Sequence, residues 1–183
     1  METWSASLTE RAMKGELAIE AVYGERMNAV RPTQREIEAL GREYVSRVAP
    51  GAKQTLAEMR SKGIHIVMVS GGLREAIIPL ARELGIVDAA VYAVSVYFDD
   101  AGAYAGFESA SPMTRQDGKR LTVGKMGLKP PTLAIGDGMT DSEMKPVVTH
   151  FAAFTGFTQR RPVIERADFV VDSFAQLREL ILK

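Results

Sequence analysis

The spacing of hydrophobic residues changes at Pro50-Gly51 and divides the chain into a helical stretch and an alternating stretch. From about Ser7 to Val48 the spacing is helical, and this stretch contains no strand candidate. One face of its central helix has the i, i+3, i+4, i+7 spacing and contains Ile19, Val22, Tyr23, Arg26, Met27 and Val30. After Arg31-Pro32, Thr33 and Glu36 predict a capping box at the start of another helix.

Strand and helix patterns alternate after Pro50. The apolar runs, in chain order, are Ile64–Val69, Leu73–Leu84, Val91–Tyr97, Thr132–Ile135, Met139–Val147, Phe151–Phe154, Phe169–Val171 and Phe174–Leu182. Asp99-Asp100-Ala101-Gly102 predicts a hairpin turn between strands at Val94–Phe98 and Ala103–Phe107. The alternation as a whole predicts an α/β fold, a mostly parallel sheet with helices on both faces.

Composition and charge narrow the class of protein. A chain of 183 residues fits one globular domain with a small subdomain, and its 23 basic and 23 acidic residues give no reason to expect nucleic acid or an anionic membrane as partner. It contains no cysteine and no apolar run near the roughly 20 residues that span a bilayer. The start lacks the features of a signal peptide. We expect a soluble, cytoplasmic protein, and the sequence leaves a homodimer open.

The richest candidate site follows the apolar run Leu133–Ile135. There the chain reads Gly136-Asp137-Gly138-Met139-Thr140-Asp141. Magnesium prefers oxygen ligands, so one carboxylate at the strand end could bind the ion while the second orients a bound water. The flanking glycines let backbone approach a ligand closely. A plain turn, with Asp141 favouring the start of the next helix, is the alternative interpretation.

A second candidate lies at Ser70-Gly71-Gly72, where another apolar strand is predicted to meet a helix. Free N–H groups there favour anions, although a tight turn with a serine N-cap explains the same residues. A phosphate between the two strand ends would need a cation. Lys119 precedes the second strand, but spacing alone does not select it over Lys125 or Lys129.

Arg26 lies on the apolar side of its predicted helix, beside Tyr23 and Val22. Many arginines at such positions cover apolar surface and extend the charged group into water. The alternative is a guanidinium that binds a ligand carboxylate in a cleft, where bidentate pairing is strong. Both interpretations remain open at this point.

Taken in order, Ser70-Gly71-Gly72, Gly118-Lys119 and Gly136–Asp141 resemble motifs II, III and IV of the haloacid dehalogenase superfamily. The stretch from about Leu8 to Leu182 resembles more closely the phosphoserine phosphatases within it. The resemblance implies a Rossmann-like core over residues 49–183 and a helical cap over residues 1–48. It also implies a magnesium-dependent hydrolase that converts phosphoserine, or another small phosphorylated metabolite, to phosphate and the alcohol, with a role in serine biosynthesis.

The resemblance also assigns roles to individual residues. Ser70, Lys119 and Asp141 would be catalytic, and Asp137 would bind magnesium. The residues assigned to the substrate are Met13, Arg26, Gly71, Gly72 and Thr140. Of these, Arg26 would grip the substrate carboxylate and Met13 would line the pocket.

The sequence departs from the family pattern at one point. Family members begin with an apolar strand ending in Asp-x-Asp-x-Thr, which supplies the nucleophile and the acid/base, and no such pair occurs here. We expect the central first strand of the family sheet to be missing from this chain, with weak magnesium binding and a rate loss on the order of 10⁶-fold. A non-catalytic phosphate-binding module or an inactive remnant is therefore an alternative, as is a sequence that begins too late.

Unpaired backbone groups on two inner sheet edges would cost about 1–3 kcal/mol each when buried. We therefore expect the gap to be closed. The strands around it could pair directly, Thr3–Leu8 could enter as a poor substitute, or another chain could fill the slot.

Overall fold

The computed structural model describes residues 19–182, with side chains from Val22 onward. The helices are α1 (Ile19–Val30), α2 (Gln34–Ser46), α3 (Ala52–Ser61), α4 (Arg74–Glu83), α5 (Gly118–Lys125), α6 (Met139–Ser142), α7 (Arg161–Ile164) and α8 (Phe174–Leu182). The strands are β1 (Met68–Leu73), β2 (Val91–Val94), β3 (Val96–Phe98), β4 (Tyr104–Phe107), β5 (Leu133–Gly136), β6 (His150–Phe154) and β7 (Phe169–Val171). This is the predicted α/β fold, with parallel sheets and helices.

The described residues form two compact units. The first unit comprises residues 19–30 and 110–172, and the second comprises residues 31–109 and 173–182. The cap at residues 1–48 and the core at residues 49–183 stay a prediction, because a grouping by contacts does not say which segment covers a substrate. No helix in the described part of the chain is long and apolar enough to cross a membrane.

In the second unit, β1 and β2 form a parallel pair. Met68 and Val69 of β1 pair with Val91 and Tyr92, and the register shifts before Leu73. The predicted strand at Ile64–Val69 is wrong in its bounds, because pairing begins only at Met68. Pairing is irregular over Ser70–Gly72 and resumes at Leu73, so the strand extends to a residue that the sequence pattern places in the helix.

Helix α4 covers this pair, and its buried face (Ala76, Ile77, Ile78 and Ala81) belongs to the core of the second unit. Helix α2 packs against α4, with Gly41 at the contact. A Cβ at Gly41 would lie 3.1 Å from Pro79 Cγ and 3.2 Å from the Ala76 carbonyl oxygen. Glycine therefore allows the two helices to approach closely.

Two local predictions in the second unit are confirmed. Thr33 caps α2: its hydroxyl accepts from the Glu36 N–H, and the Glu36 carboxylate accepts from the Thr33 N–H at 2.7 Å. Strands β3 and β4 form the antiparallel hairpin, and its turn is held by the Asp99 carboxylate, which accepts from the N–H groups of Ala101 and Ala103.

In the first unit, β5, β6 and β7 form a parallel sheet in that order. Residues 133–136 pair in sequence with residues 150–153, and Phe169 pairs with Ala152. Strand β6 is central, and its Phe151, Ala152 and Ala153 are buried, as its continuous apolar sequence requires. The predicted helix at Met139–Val147 is wrong in length: α6 ends at Ser142 and a 3₁₀ turn follows at Lys145–Val147.

Each unit has sheets of its own. Strand β1 pairs with β2 in the second unit, and β5 pairs with β6 in the first. Direct pairing of β1 with β5, one of the three ways in which we expected the gap to close, is not seen among residues 19–182. Thr3–Leu8 lies outside the described residues, so the second way stays a prediction, as does the third.

Candidate functional site

The carboxyl end of β5 brings the two motif aspartates together in the first unit. Asp137 directly follows the strand, and Asp141 comes one turn later in α6. The Asp141 carboxylate turns back and accepts a hydrogen bond from the Gly138 N–H at 2.9 Å. A Cβ at Gly136 would lie 2.1 Å from Asp141 Cγ, so this approach requires glycine. The Gly-Asp-Gly sequence thus shapes the acidic turn.

Lys119 reaches the same turn from α5. Its Nζ lies 2.6 Å from Asp141 Oδ1, and the two side chains are only 17% and 12% exposed. A Cβ at Gly118 would lie 1.8 Å from the Pro112 carbonyl oxygen, so glycine also allows the start of α5 to pack closely against the preceding 3₁₀ turn. Lys125 and Lys129 are exposed. The structure therefore places Lys119, of the three lysines, beside the motif.

Asp137 pairs with a residue that the sequence analysis did not assign to the site. Arg160, which precedes α7, donates from one guanidinium nitrogen to the Asp137 carbonyl oxygen at 3.2 Å and to Asp137 Oδ2. The Arg160 side chain is 11% exposed, whereas that of Asp137 is 42% exposed. The local signal, two adjacent arginines before a proline, is typical of a solvated surface, and only the crossover after β6 brings Arg160 back to β5.

Ser70, Gly71 and Gly72 lie in the second unit, inside β1 and not at a helix N-terminus. The Ser70 hydroxyl accepts a hydrogen bond from the Gly72 N–H at 3.0 Å. The N-cap of α4 is Leu73, so the serine N-cap interpretation is wrong. Because Ser70 belongs to one unit and Lys119 and Asp137 to the other, their convergence on one phosphate stays a prediction.

The remaining predicted site residues are placed as follows. Arg26 is half-buried on α1 between the buried Tyr23 and Met27, and Thr140 is half-buried in α6. Met13 lies outside the described residues. The roles assigned to these three residues therefore stay predictions.

The acids at the end of β5 do not form a metal site by themselves. The described part of the chain contains no cluster of three or more His, Asp or Glu side chains arranged to hold an ion. Asp141 is already paired with Lys119, and Asp137 with Arg160. Mg²⁺ needs several oxygen ligands and uses waters for the remainder. The donors described here do not fit a tightly held magnesium ion.

Asp168 connects β6 and the segment before β7 in the same unit through hydrogen bonds of its carboxylate. Its Oδ2 accepts from the Phe151 N–H at 2.8 Å, and its Oδ1 lies 2.7 Å from Lys145 Nζ. The Lys145 hydrogen bond, and after it the Phe151 N–H, lowers the pKa of Asp168 below its ordinary value. Both contacts favour the charged carboxylate, so the strand crossover is strongest when Asp168 is ionised.

The fold and the acidic turn define a class of hydrolase. The sequence model described as "haloacid dehalogenase-like hydrolase" matches residues 6–144. The chain belongs to the haloacid dehalogenase-like hydrolase family.

Phosphoserine phosphatases are among the similar proteins. The Drosophila melanogaster enzyme is 32% identical over 94% of this chain and 65% of its own length. The Rattus norvegicus enzyme is 28% identical over 97% of this chain and 80% of its own length. The structure of a phosphoserine phosphohydrolase-like protein from Francisella tularensis superposes with a TM-score of 0.87, at 25% identity over 98% of this chain and 84% of that one. The chain thus spans just under two thirds of the Drosophila relative.

Proposed function

We propose that the chain is a phosphoserine phosphatase-like hydrolase that binds L-phosphoserine and releases serine and phosphate. The observation that carries this proposal is the Lys119–Asp141 ion pair beside Asp137 at the end of β5. The similarity to two animal phosphoserine phosphatases over nearly the whole chain supports the choice of substrate. A cytoplasmic role in serine biosynthesis is part of the proposal.

Each proposed residue has a physical task. Lys119 contributes an ammonium group that attracts a phosphate dianion, and Asp141 holds that ammonium in place at 2.6 Å. Ser70 contributes a hydroxyl donor, while Gly71, Gly72 and Thr140 line the phosphate and the ester oxygen. Arg26 binds the substrate carboxylate, and Met13 closes the pocket. A phosphomonoester without a carboxylate is therefore a poorer ligand.

Magnesium, when bound, would supply a Lewis acid for the phosphoryl oxygens. We propose Asp137 as its direct carboxylate ligand. Because the described donors do not fit a tightly held ion, we expect weak affinity, and no step of the reaction is assigned to it.

Attack on phosphorus needs a nucleophile. None of the 183 residues forms an Asp-x-Asp pair, which is the family arrangement for covalent attack. Division of phosphoester hydrolysis into two steps by a carboxylate nucleophile is the source of much of the rate. We propose that the residues described here bind and orient the phosphoester, and that fast turnover requires an added strand that carries the nucleophile.

A phosphate-release assay tests this proposal. We expect little release from phosphoserine with the 183-residue chain, and release on the order of 10⁶-fold faster when an N-terminal strand with Asp-x-Asp-x-Thr is fused to it. No gain on fusion would contradict the hydrolase. Saturable phosphoserine binding without turnover in both forms would support a non-catalytic binding module instead, and neither binding nor turnover would indicate an inactive remnant.

Two variants connect the assay to the residues. Lys119→Glu should abolish phosphoserine binding measured by calorimetry, whereas the exposed Lys125→Glu on the same helix should leave it unchanged. Arg26→Ala should weaken binding of phosphoserine but not of phosphoethanolamine, which lacks the carboxylate. Equal losses for both ligands would favour a phosphatase of another small metabolite.

A further inference from the structure

Each of the two aspartates in the acidic turn after β5 has a cationic partner among the described residues. Lys119 balances Asp141 at 2.6 Å, and Arg160 balances Asp137 through a hydrogen bond to Oδ2. Of the four side chains, Asp137 is the most exposed at 42%, while the cation bound to it is 11% exposed. A mostly buried guanidinium therefore contacts a carboxylate that is partly exposed to solvent.

Arg160 contacts Asp137 at two acceptor atoms. One nitrogen of Arg160 reaches both the main-chain carbonyl and the carboxylate of the same residue. Loss of the carboxylate bond alone would leave the guanidinium on the carbonyl, still beside the turn. A second cation at Asp137 would then lie within a few ångströms of a fixed positive charge in a partly desolvated place, where repulsion is weakly screened.

We propose that Arg160 is an internal counter-ion that competes with divalent cations for Asp137. The guanidinium occupies one of the two carboxylate oxygens of Asp137 and places a positive charge beside the other, so cation affinity at this turn is suppressed by the chain's own arginine. This inference rests on the proposed function in one respect, the assignment of Asp137 as the cation ligand. Arg160 then sets how tightly the ion binds.

If Arg160 instead orients Asp137 for metal binding, its removal should change the cation affinity in the opposite direction. Side chains that hydrogen-bond a metal-binding carboxylate usually orient it, and their loss weakens metal affinity 10–100-fold. A competing counter-ion instead weakens the affinity while it is present, and its removal strengthens binding. The direction of the change in cation affinity therefore separates the two roles.

Manganese binding provides the test, with the bound fraction read from the loss of the free Mn²⁺ signal in electron paramagnetic resonance. We expect Arg160→Met and Arg160→Gln to bind Mn²⁺ at least about tenfold more tightly than the unmodified chain. Arg160→Lys retains the charge and should stay weak. Arg161→Met is the matched control, because its side chain is the exposed neighbour that pairs with Glu165.

Asp137→Asn, alone and combined with Arg160→Met, shows whether the binding belongs to this turn. Tighter binding in Arg160→Met that disappears in the double variant supports the proposal. Unchanged or weaker binding that still depends on Asp137 overturns it and leaves Asp137 as a cation ligand. Binding that never depends on Asp137 overturns both the inference and the metal assignment, while phosphoserine binding through Lys119 is measured separately.

A measurement on the unmodified chain covers the case in which an Arg160 variant fails to fold. The Arg160 side-chain N–H resonance, assigned in the unmodified chain by through-bond correlation to the Arg160 backbone, should shift as Mg²⁺ is added, with the same midpoint as the resonances of Asp137. A resonance that does not move while Asp137 titrates with Mg²⁺ would show that both cations are accommodated together and would overturn the competition.

Discussion

The two predicted phosphate-binding strand ends differ in how they are built. At the end of β5 in the first unit, each of two carboxylates is paired with a cation, and the turn closes around glycine. At the end of β1 in the second unit, the chain continues as strand through Ser70-Gly71-Gly72, and the Ser70 hydroxyl accepts a neutral hydrogen bond of 3.0 Å from the Gly72 N–H. The β5 end is therefore fixed by ion pairs and close packing, and the β1 end by strand pairing on either side of an irregular stretch.

Replacement of glycine should give the largest difference in unfolding free energy between the two strand ends. Gly136→Ala places a methyl group 2.1 Å from Asp141 Cγ and 2.4 Å from its Cβ, so the held carboxylate must move. In Gly72→Ala the nearest atoms, Ile77 Cδ1 and Ser70 Oγ, lie at 3.2 Å and can adjust. We expect losses in unfolding free energy of about 3 and about 1 kcal/mol respectively, measured by urea denaturation. Equal losses for the two variants would show that the β5 end is not more tightly packed around its glycine than the β1 end.

Side-chain removal should give the next largest difference. Lys119→Met leaves Asp141 charged and mostly buried, which costs about 3 kcal/mol of unfolding free energy. Ser70→Ala removes one neutral hydrogen bond and costs about 1 kcal/mol. Lys125→Met, on the exposed side of the same helix as Lys119, is the control. A loss for Lys119→Met no larger than that of the control would mean that the pair does not fix the turn.

Lowering the pH should reveal a smaller difference between the two units, in the stability that an ionised aspartate contributes to each. The Lys145 hydrogen bond lowers the pKa of Asp168 in the first unit, and the Arg82 hydrogen bond lowers the pKa of Asp88 in the second. A lowered folded-state pKa adds stability above the unfolded value, near 3.9, and this is lost as the pH falls through the folded-state pKa. Asp168→Asn and Asp88→Asn should therefore lower Tm at neutral pH, with both differences vanishing in acid.

The Asp168 variant should show the larger change in Tm, because Asp168 also accepts from the N–H of the buried Phe151. Asp88 pairs with a side chain that is 67% exposed, where solvent weakens the attraction. Thermal melts at a series of pH values check this order. A larger effect at Asp88, or differences that do not shrink as the pH falls below the unfolded-state pKa, would contradict the assignment of the stabilising contacts.

The sequence was most informative where local chemistry determines local structure. Thr33 with Glu36, and Asp99 with Gly102, fix a helix start and a hairpin turn through contacts within four residues, and both were predicted. A turn after β5 was also predicted, because Gly-Asp-Gly after an apolar strand favours one. These features depend little on the remainder of the fold.

Long-range pairing determined what the sequence could not predict. Strand β1 begins at Met68 and not at the predicted Ile64, because its pairing with β2 begins there. The hydrophobic pattern near Ile64 does not indicate where that pairing begins. Arg160 reaches Asp137 across 23 residues of chain, through a crossover whose geometry depends on the sheet. Spacing alone likewise did not select Lys119 over Lys125 and Lys129; the resemblance did, and the structure places Lys119 beside the motif with Gly118 packed against the Pro112 carbonyl.

The balance of charges after β5 has a consequence for how a phosphoester arrives. Because Lys119 and Arg160 are each paired with an aspartate, an approaching dianion meets less long-range attraction at this turn than two unpaired cations would exert. Dissolved salt should therefore change the rate of encounter less than it would at two unpaired cations. Selectivity for the ligand must then arise after encounter. It depends on how long the anion stays bound once Lys119 or Arg160 has exchanged its aspartate for the anion.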